Sequence, residues 1–167
     1  MYAEIYRDIS GIFVSVVLHP LHLPKAELKL SRQGDKLFVW CILRRKTLLL
    51  TPEEWVRQHV IHFLIREKNV PQGLIASELG IRIHQLNRRC DVVVYGKDQK
   101  ARLLVECKAP EVVLTQQVLQ QIAHYNWEVG VDVLWVTNGI DHAVYRIDRE
   151  TKKIVVLEGV PDFSELG

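Results

Sequence analysis

Asp91, Glu106 and Lys108 are the residues whose types and spacing could do chemistry together. They lie in the stretch RRCDVVVYGKDQKARLLVECK, residues 88–108, where DVVVY at 91–95 and ARLLVEC at 101–107 read as strands of high propensity. A hairpin closed by a four-residue loop, Lys97 to Lys100, pairs positions whose numbers sum to 197. Gly96 then meets Ala101, Tyr95 meets Arg102 and, further from the turn, Asp91 meets Glu106. Directly opposed side chains of an antiparallel pair share a face. Lys108, two residues past Glu106, shares that face if the strand continues. The spacing therefore predicts two facing carboxylates with a lysine beside them, and a slip of one residue would abolish the arrangement. Two opposed carboxylates repel, and a shared cation removes that penalty. Oxygen ligands with open positions suit Mg2+, which takes one or two carboxylates and keeps waters for a phosphate substrate. A neighbouring lysine can place a water or stabilise a developing oxyanion. The same spacing also allows a plain structural reading: Asp91 opening a strand, Glu106 at a sheet edge and Lys108 at a solvated end.

Other candidates depend on helices. Gln121 and Tyr125 are four apart and share a helix face, from which an amide and a hydroxyl could orient Lys108 or a phosphate. Glu53 and Glu54 both fall in the first turn of a predicted helix, where carboxylates favour the helix dipole. Glu54 has a local task in a capping box, so Glu53 is the freer of the two for chemistry. Glu78 faces either this group or solvent. The pairs His19 with His22 and His59 with His62 have no third ligand nearby and read as surface or helix-packing histidines. Cys107 is expected on the opposite, core face of its strand. Trp40, Trp55, Trp127 and Trp135 sit in apolar elements and are expected in the core.

The elements that position these residues follow from periodicity and turn chemistry. Residues 37–43 read as a buried strand, and 47–50 as a short continuation after a basic turn. Thr51, Pro52 and Glu54 mark a helix start, with a helix over 52–68 carrying Val56, Val60, Phe63 and Leu64 on one stripe. Strands follow at 74–83, 91–95 and 101–107, the first with a kink expected at Gly80, which lacks a side chain. Thr115 caps a second helix over 116–128, then a strand spans 131–137, Asn138-Gly139 turns the chain, and strands at 142–147 and 153–157 pair. This order predicts an α/β domain with a mixed sheet. Residues 1–24 are expected to be peripheral, 25–160 to form a single domain, and the acidic tail 161–167 to be loose. Residues 9–18 resemble a short signal core, but Glu4, Arg7 and Asp8 precede them, so they read as a strand or a loosely attached leader.

Composition bounds the function class. A chain of 167 residues with 48% hydrophobic and 25% charged residues is an ordinary globular domain. No apolar run reaches the roughly 18 residues of a membrane helix. Three widely spaced cysteines, Cys41, Cys90 and Cys107, predict no disulfide framework and fit a reducing cytoplasm. The net charge is only +2, but it is uneven. Residues 29–46 carry a net +5 and residues 82–108 a net +4, whereas 109–140 hold no Lys or Arg. The two basic stretches could line a phosphate-binding face, or form an ordinary solvated surface.

These motifs carry a resemblance. Asp91-Val-Val-Val followed by Leu-Leu-Val-Glu106-Cys107-Lys108-Ala-Pro resembles the D…ExK core of the PD-(D/E)XK nuclease superfamily. The strings TPEEWVRQHVIHFLI, RRCDVVVYG, LLVECKAPE, QQIAHYN and VTNG are similar to the N-terminal nuclease domain of type I restriction enzyme R subunits, over about residues 37–147. Gln121-x-x-x-Tyr125 also resembles the pattern of RecB-type nucleases. The resemblance implies a restriction-endonuclease-like three-layer core, with a central mixed β-sheet flanked by helices. It implies Mg2+-dependent hydrolysis of DNA phosphodiester bonds, with Mn2+ an acceptable substitute. Asp91 and Glu106 would bind the metal together with the Cys107 carbonyl, and Lys108 would position or activate the water. Gln121 and Glu53 would complete the catalytic set, and Tyr125, Arg88 and Arg89 would contact DNA. Implied partners are DNA, a separate motor or specificity subunit, and a second copy of the chain; no membrane is implied. Cys90 stands where the superfamily's name has proline, and with no Walker A motif in these residues no motor is expected within them. A domain of this fold that grips DNA or a partner without cutting is the alternative.

Overall fold

A computed structural model describes residues 4–7, 13–16, 18–83, 86–119, 131–148, 151 and 153–167; for 4–16 and 78–89 it describes the backbone alone. In chain order the strands are β1 (Glu4–Arg7), β2 (Phe13–Val16), β3 (Leu30–Gln33), β4 (Lys36–Cys41), β5 (Lys46–Leu49), β6 (Ile75–Ile83), β7 (Leu86–Tyr95), β8 (Ala101–Cys107), β9 (Val133–Thr137), β10 (His142–Asp148) and β11 (Lys153–Leu157), and helix α1 spans Pro52–Arg66 between β5 and β6. β6 to β11 form a six-stranded sheet in the order β11-β10-β9-β8-β7-β6. Only the β8–β9 pairing in it is parallel; the other four are antiparallel. A parallel pair needs a long crossover, and residues 108–132 supply it. That crossover opens with a helical turn at 116–119, where Thr115 Oγ1 accepts from the Val118 N–H at 3.3 Å, as expected of the cap.

Alternation divides the sheet into two faces. Val92, Val94, Leu103, Val105, Val133 and Trp135 pack with Val56, Val60, Ile61 and Leu64 of α1. Val93, Leu104, Leu134 and Val136 form a second cluster on the other face, joined by Leu114 and by Leu119 from the start of the second helix. α1 begins as predicted: Thr51 Oγ1 accepts from the Glu54 N–H at 3.1 Å and Pro52 takes the first position. Among the described residues, no helix is long and apolar enough to cross a membrane.

Several expectations are corrected. The region before α1 is a three-stranded antiparallel sheet, β3-β4-β5, so 47–50 returns against 37–43 rather than continuing it. The unpredicted β3 has a single inward apolar residue, Leu30, and exists because β4 pairs with it. β7 starts at Leu86, not Asp91, because β6 supplies a ladder for the polar Asn87-Arg88-Arg89. Trp40 is 38% exposed, since Val39 and Cys41 take the inward positions on either side of it. Residues 18–24 are not peripheral: Leu18 is buried, Leu21 and Leu23 pack on the core, and the His22 N–H donates to the Gly139 carbonyl at 2.7 Å. The tail from Pro161 is not loose. Leu166 is buried, Phe163 packs on the core, and an Asp162–Glu165 capping box closes a 3-10 turn there. Two apolar side chains that find core positions outweigh the acidic character of the segment.

Candidate active site

The β7–β8 hairpin sets the site, and its tip differs from the simple prediction. Gly96 to Lys100 form the loop, with the Gly96 N–H donating to Lys100 O at 2.8 Å and Gln99 in the left-handed region at φ 64°. Tyr95 therefore pairs with Ala101, and Arg102 is left out of the pairing as a bulge. The extra loop residue and the bulge cancel. Val94 meets Leu103, Val93 meets Leu104 and Val92 meets Val105, each in the expected register. The paired ladder ends at Val92 with Val105, so the expected Asp91–Glu106 pair is not part of it; Asp91 meets β8 through its carboxylate, at the Cys107 N–H.

Asp91 is anchored on both oxygens. Oδ2 accepts from the Cys107 N–H at 2.8 Å, and Oδ1 accepts from Arg57 Nη2 at 2.8 Å. Lys108 Nζ donates to Glu106 Oε1 at 2.7 Å, and the Lys108 N–H donates to Thr137 O at 2.8 Å, which carries the β8–β9 pairing past the strand end. Burial, followed by the Asp91 charge, pushes the Glu106 carboxyl up, against the pull of Lys108. Burial works against the Lys108 ammonium, but its hydrogen bond and charge contact with Glu106 prevail and hold it above its ordinary value. The Cys107 side chain points into the core, fully buried, as expected. Burial and Asp91 push its thiol well up, so it adds no charge to the group.

α1 contributes more than the sequence suggested. Glu54 does not reach back to close a capping box; its side chain is buried and accepts from Arg57 Nη1 and, at 2.8 Å, from Gln58 Nε2. Glu53, 45% exposed at its side chain, accepts from Arg57 Nη2 at 2.7 Å. Arg57 thus ties both helix acids to Asp91, with its own side chain 7% exposed. Burial opposes its charge, but Asp91 and Glu54 outweigh burial and hold its guanidinium above the ordinary value. Arg57 and Gln58 were missed in the sequence. Their visible signal was spacing, since Arg57 follows Glu53 by four and Glu54 by three, the distances at which helical side chains meet.

Comparison with known proteins places the chain. The family model for the type I restriction enzyme R protein N terminus (HSDR_N) matches residues 52–161. The chain belongs to that family. A solved fragment of a protein described as an HsdR subunit of a type I restriction enzyme, from Vibrio vulnificus YJ016, superposes with a TM-score of 0.50 at 20% identity over 70% of this chain. The match spans 24% of that fragment, so this chain corresponds to about a quarter of its length. No curated protein matches the chain. The R-protein N-terminal fold is thus the restriction-endonuclease-like α/β fold that the sequence predicted.

Within this R-protein domain, the structure brings Asp91, Glu106, Lys108 and Glu53 into one charged group. Gln121, Tyr125 and Trp127 lie outside the described residues, as do the side chains of Glu78, Arg88 and Arg89. His59 is a packing residue: its Nδ1 donates to Trp55 O at 2.9 Å and its ring meets Trp55 edge-on. Among the described residues, no three His, Cys, Asp or Glu side chains converge as a metal cage. Carboxylate and carbonyl oxygens are nevertheless the donors a hard cation takes. Four carboxylates (Glu53, Glu54, Asp91, Glu106) stand against two cations (Arg57, Lys108). A divalent ion would offset part of this excess of carboxylates. Asp91, Glu106 and the Cys107 carbonyl are the oxygens that would hold it, in keeping with the few protein ligands Mg2+ takes.

Proposed function

We propose that this domain hydrolyses DNA phosphodiester bonds with Mg2+, acting beside a motor or specificity subunit of a restriction system. The observation that supports the reading is the Asp91 carboxylate bound to the Cys107 N–H, next in sequence to Glu106, with Lys108 bonded to Glu106, inside a family of R-protein N termini. A bound Mg2+ would supply Lewis acidity to the phosphate and lower the pKa of a water. Asp91 and Glu106 hold the oxygens for it, and the Cys107 N–H fixes the Asp91 carboxylate in place. Lys108, kept protonated by Glu106, is suited to orient the attacking water and to stabilise charge on the phosphate rather than to take a proton. Glu53, the more exposed of the helix acids, would complete the outer shell of the metal or water.

The test is cleavage of supercoiled, linear and single-stranded DNA with Mg2+ or Mn2+, comparing wild type with Lys108→Ala and Asp91→Asn. Loss of a preorganised charged group costs a factor of about 100–1,000, so both variants should lose metal-dependent cutting by at least that. Cutting that survives in both would sink the assignment. A second reading, a domain that binds DNA or a partner subunit without cutting, is favoured by the hold Arg57 and Lys108 already have on the same carboxylates. It requires DNA binding that persists in Asp91→Asn and no cutting by wild type.

A further inference from the structure

We infer that Arg57 sets the metal affinity of this site: its guanidinium is a resident counter-cation that competes with a divalent ion for the Asp91 carboxylate. The inference rests on the metal-binding reading above and extends it to a residue outside the ligand set.

Arg57 Nη2 lies 2.8 Å from Asp91 Oδ1 and 2.7 Å from Glu53 Oε1, so one nitrogen bridges a proposed ligand and the adjacent helix acid. Its other terminal nitrogen binds the buried Glu54, whose second oxygen is held by Gln58. The guanidinium is therefore fixed from the helix side by two carboxylates and directed at Asp91 by them. The remaining Asp91 oxygen is taken by the Cys107 N–H. A cation arriving at Asp91 must share a carboxylate with a fixed positive charge, and like charges at such range raise one another's energy strongly in a partly buried site. Arg57 also keeps these carboxylates from facing one another uncompensated without metal. The arrangement stabilises the metal-free domain and weakens its hold on the ion.

The experiment uses the full chain and two readouts, calorimetric titration with Mn2+ and thermal melting in EDTA and in Mn2+, on wild type, Arg57→Gln and Arg57→Lys. Arg57→Gln should melt lower in EDTA, bind Mn2+ at least tenfold more tightly (about 1.4 kcal/mol), and show a larger Mn2+-induced rise in Tm. A lysine keeps the charge but cannot span three carboxylates, so Arg57→Lys should fall between wild type and Arg57→Gln. If Arg57→Gln does not fold, Arg57→Lys binding more tightly than wild type carries the inference. A purely structural role would lower the melting point without tightening Mn2+. Wild type that binds Mn2+, with variants that bind it equally or more weakly, overturns the role of Arg57 and leaves the metal reading standing. Binding by none of the three, with all three folded, overturns both. Binding by Arg57→Gln alone supports both.

Discussion

Glu53 and Glu54 offer a stringent test of the structure because they are sequence neighbours in opposite environments. Both occupy the first turn of α1, both bind Arg57, and Glu→Ala changes helix propensity and dipole energy in the same way at each. Those shared contributions cancel when the two variants are compared, leaving burial and the bond Glu54 accepts from Gln58 as the differences. The side chain of Glu54 is 6% exposed and that of Glu53 45%. Glu54→Ala removes a buried charge-assisted hydrogen bond, worth about 1.5–3 kcal/mol, and strips Gln58 Nε2 of its acceptor, at about 1–3 kcal/mol. Arg57 keeps Glu53 and Asp91, so the full penalty of roughly 3–5 kcal/mol for an orphaned buried charge does not apply. The expected loss is about 3 kcal/mol, a large part of the roughly 5–15 kcal/mol that holds a domain folded. At about 2–4 °C per kcal/mol for a chain of this size, Tm should drop by roughly 6–12 °C. Glu53→Ala breaks a solvent-screened pair and should cost under about 1 kcal/mol.

Urea and thermal denaturation in EDTA measure both variants without metal. Equal losses, or a loss below about 1 kcal/mol for Glu54→Ala, would refute the placement of Glu54 as the buried anchor of Arg57. The same result would undercut the fixed guanidinium on which the metal-affinity argument depends.

Two further perturbations probe the scaffold. Burial, with the charges of Arg66 and His59, holds His62 below its ordinary 6.5. The unfolded chain therefore takes up this proton first as the pH falls, and stability is lost on acidification through about 6.5; His62→Gln should flatten that slope in melts between pH 8 and 5, and an unchanged slope would contradict it. Gly139 has φ +84°, and a Cβ there would lie 2.6 Å from Leu21 Cδ2 and 3.2 Å from Val56 Cγ2. Gly139→Ala should cost about 1–3 kcal/mol, whereas Gly73→Ala, with nothing within 4 Å, should stay within about 0.5 kcal/mol of wild type by urea titration.

The features legible in the sequence were those with local causes. Thr51 and Pro52 announce α1 whatever it packs on, and the apolar runs of β7, β8 and β9 are strands under any arrangement of neighbours. The register of Val92–Val94 against Leu103–Val105 was legible for a less secure reason. The assumed loop was one residue too short, and the Arg102 bulge removed the error before it reached Val94. Features that depend on a partner strand or on the core, rather than on their own residues, were not legible. β3 and the first half of β7 are polar strands held by their ladders with β4 and β6. The tail is acidic by composition, yet Phe163 and Leu166 find the core.

Arg57 shows where the boundary falls within a single side chain. Its pairs with Glu53 and Glu54 follow from helical spacing, and on an exposed helix they would be worth only a few tenths of a kcal/mol. Its contact with Asp91 spans 34 positions and depends on α1 lying over β7 and β8. That third contact changes the meaning of the first two. With only the helix acids, Arg57 would be a surface residue of little consequence. Once the guanidinium reaches Asp91, the helix acids become the groups that hold a positive charge at the proposed metal position. Glu54, set aside on sequence grounds as a capping residue, then matters to the chemistry through Arg57 rather than through the ion.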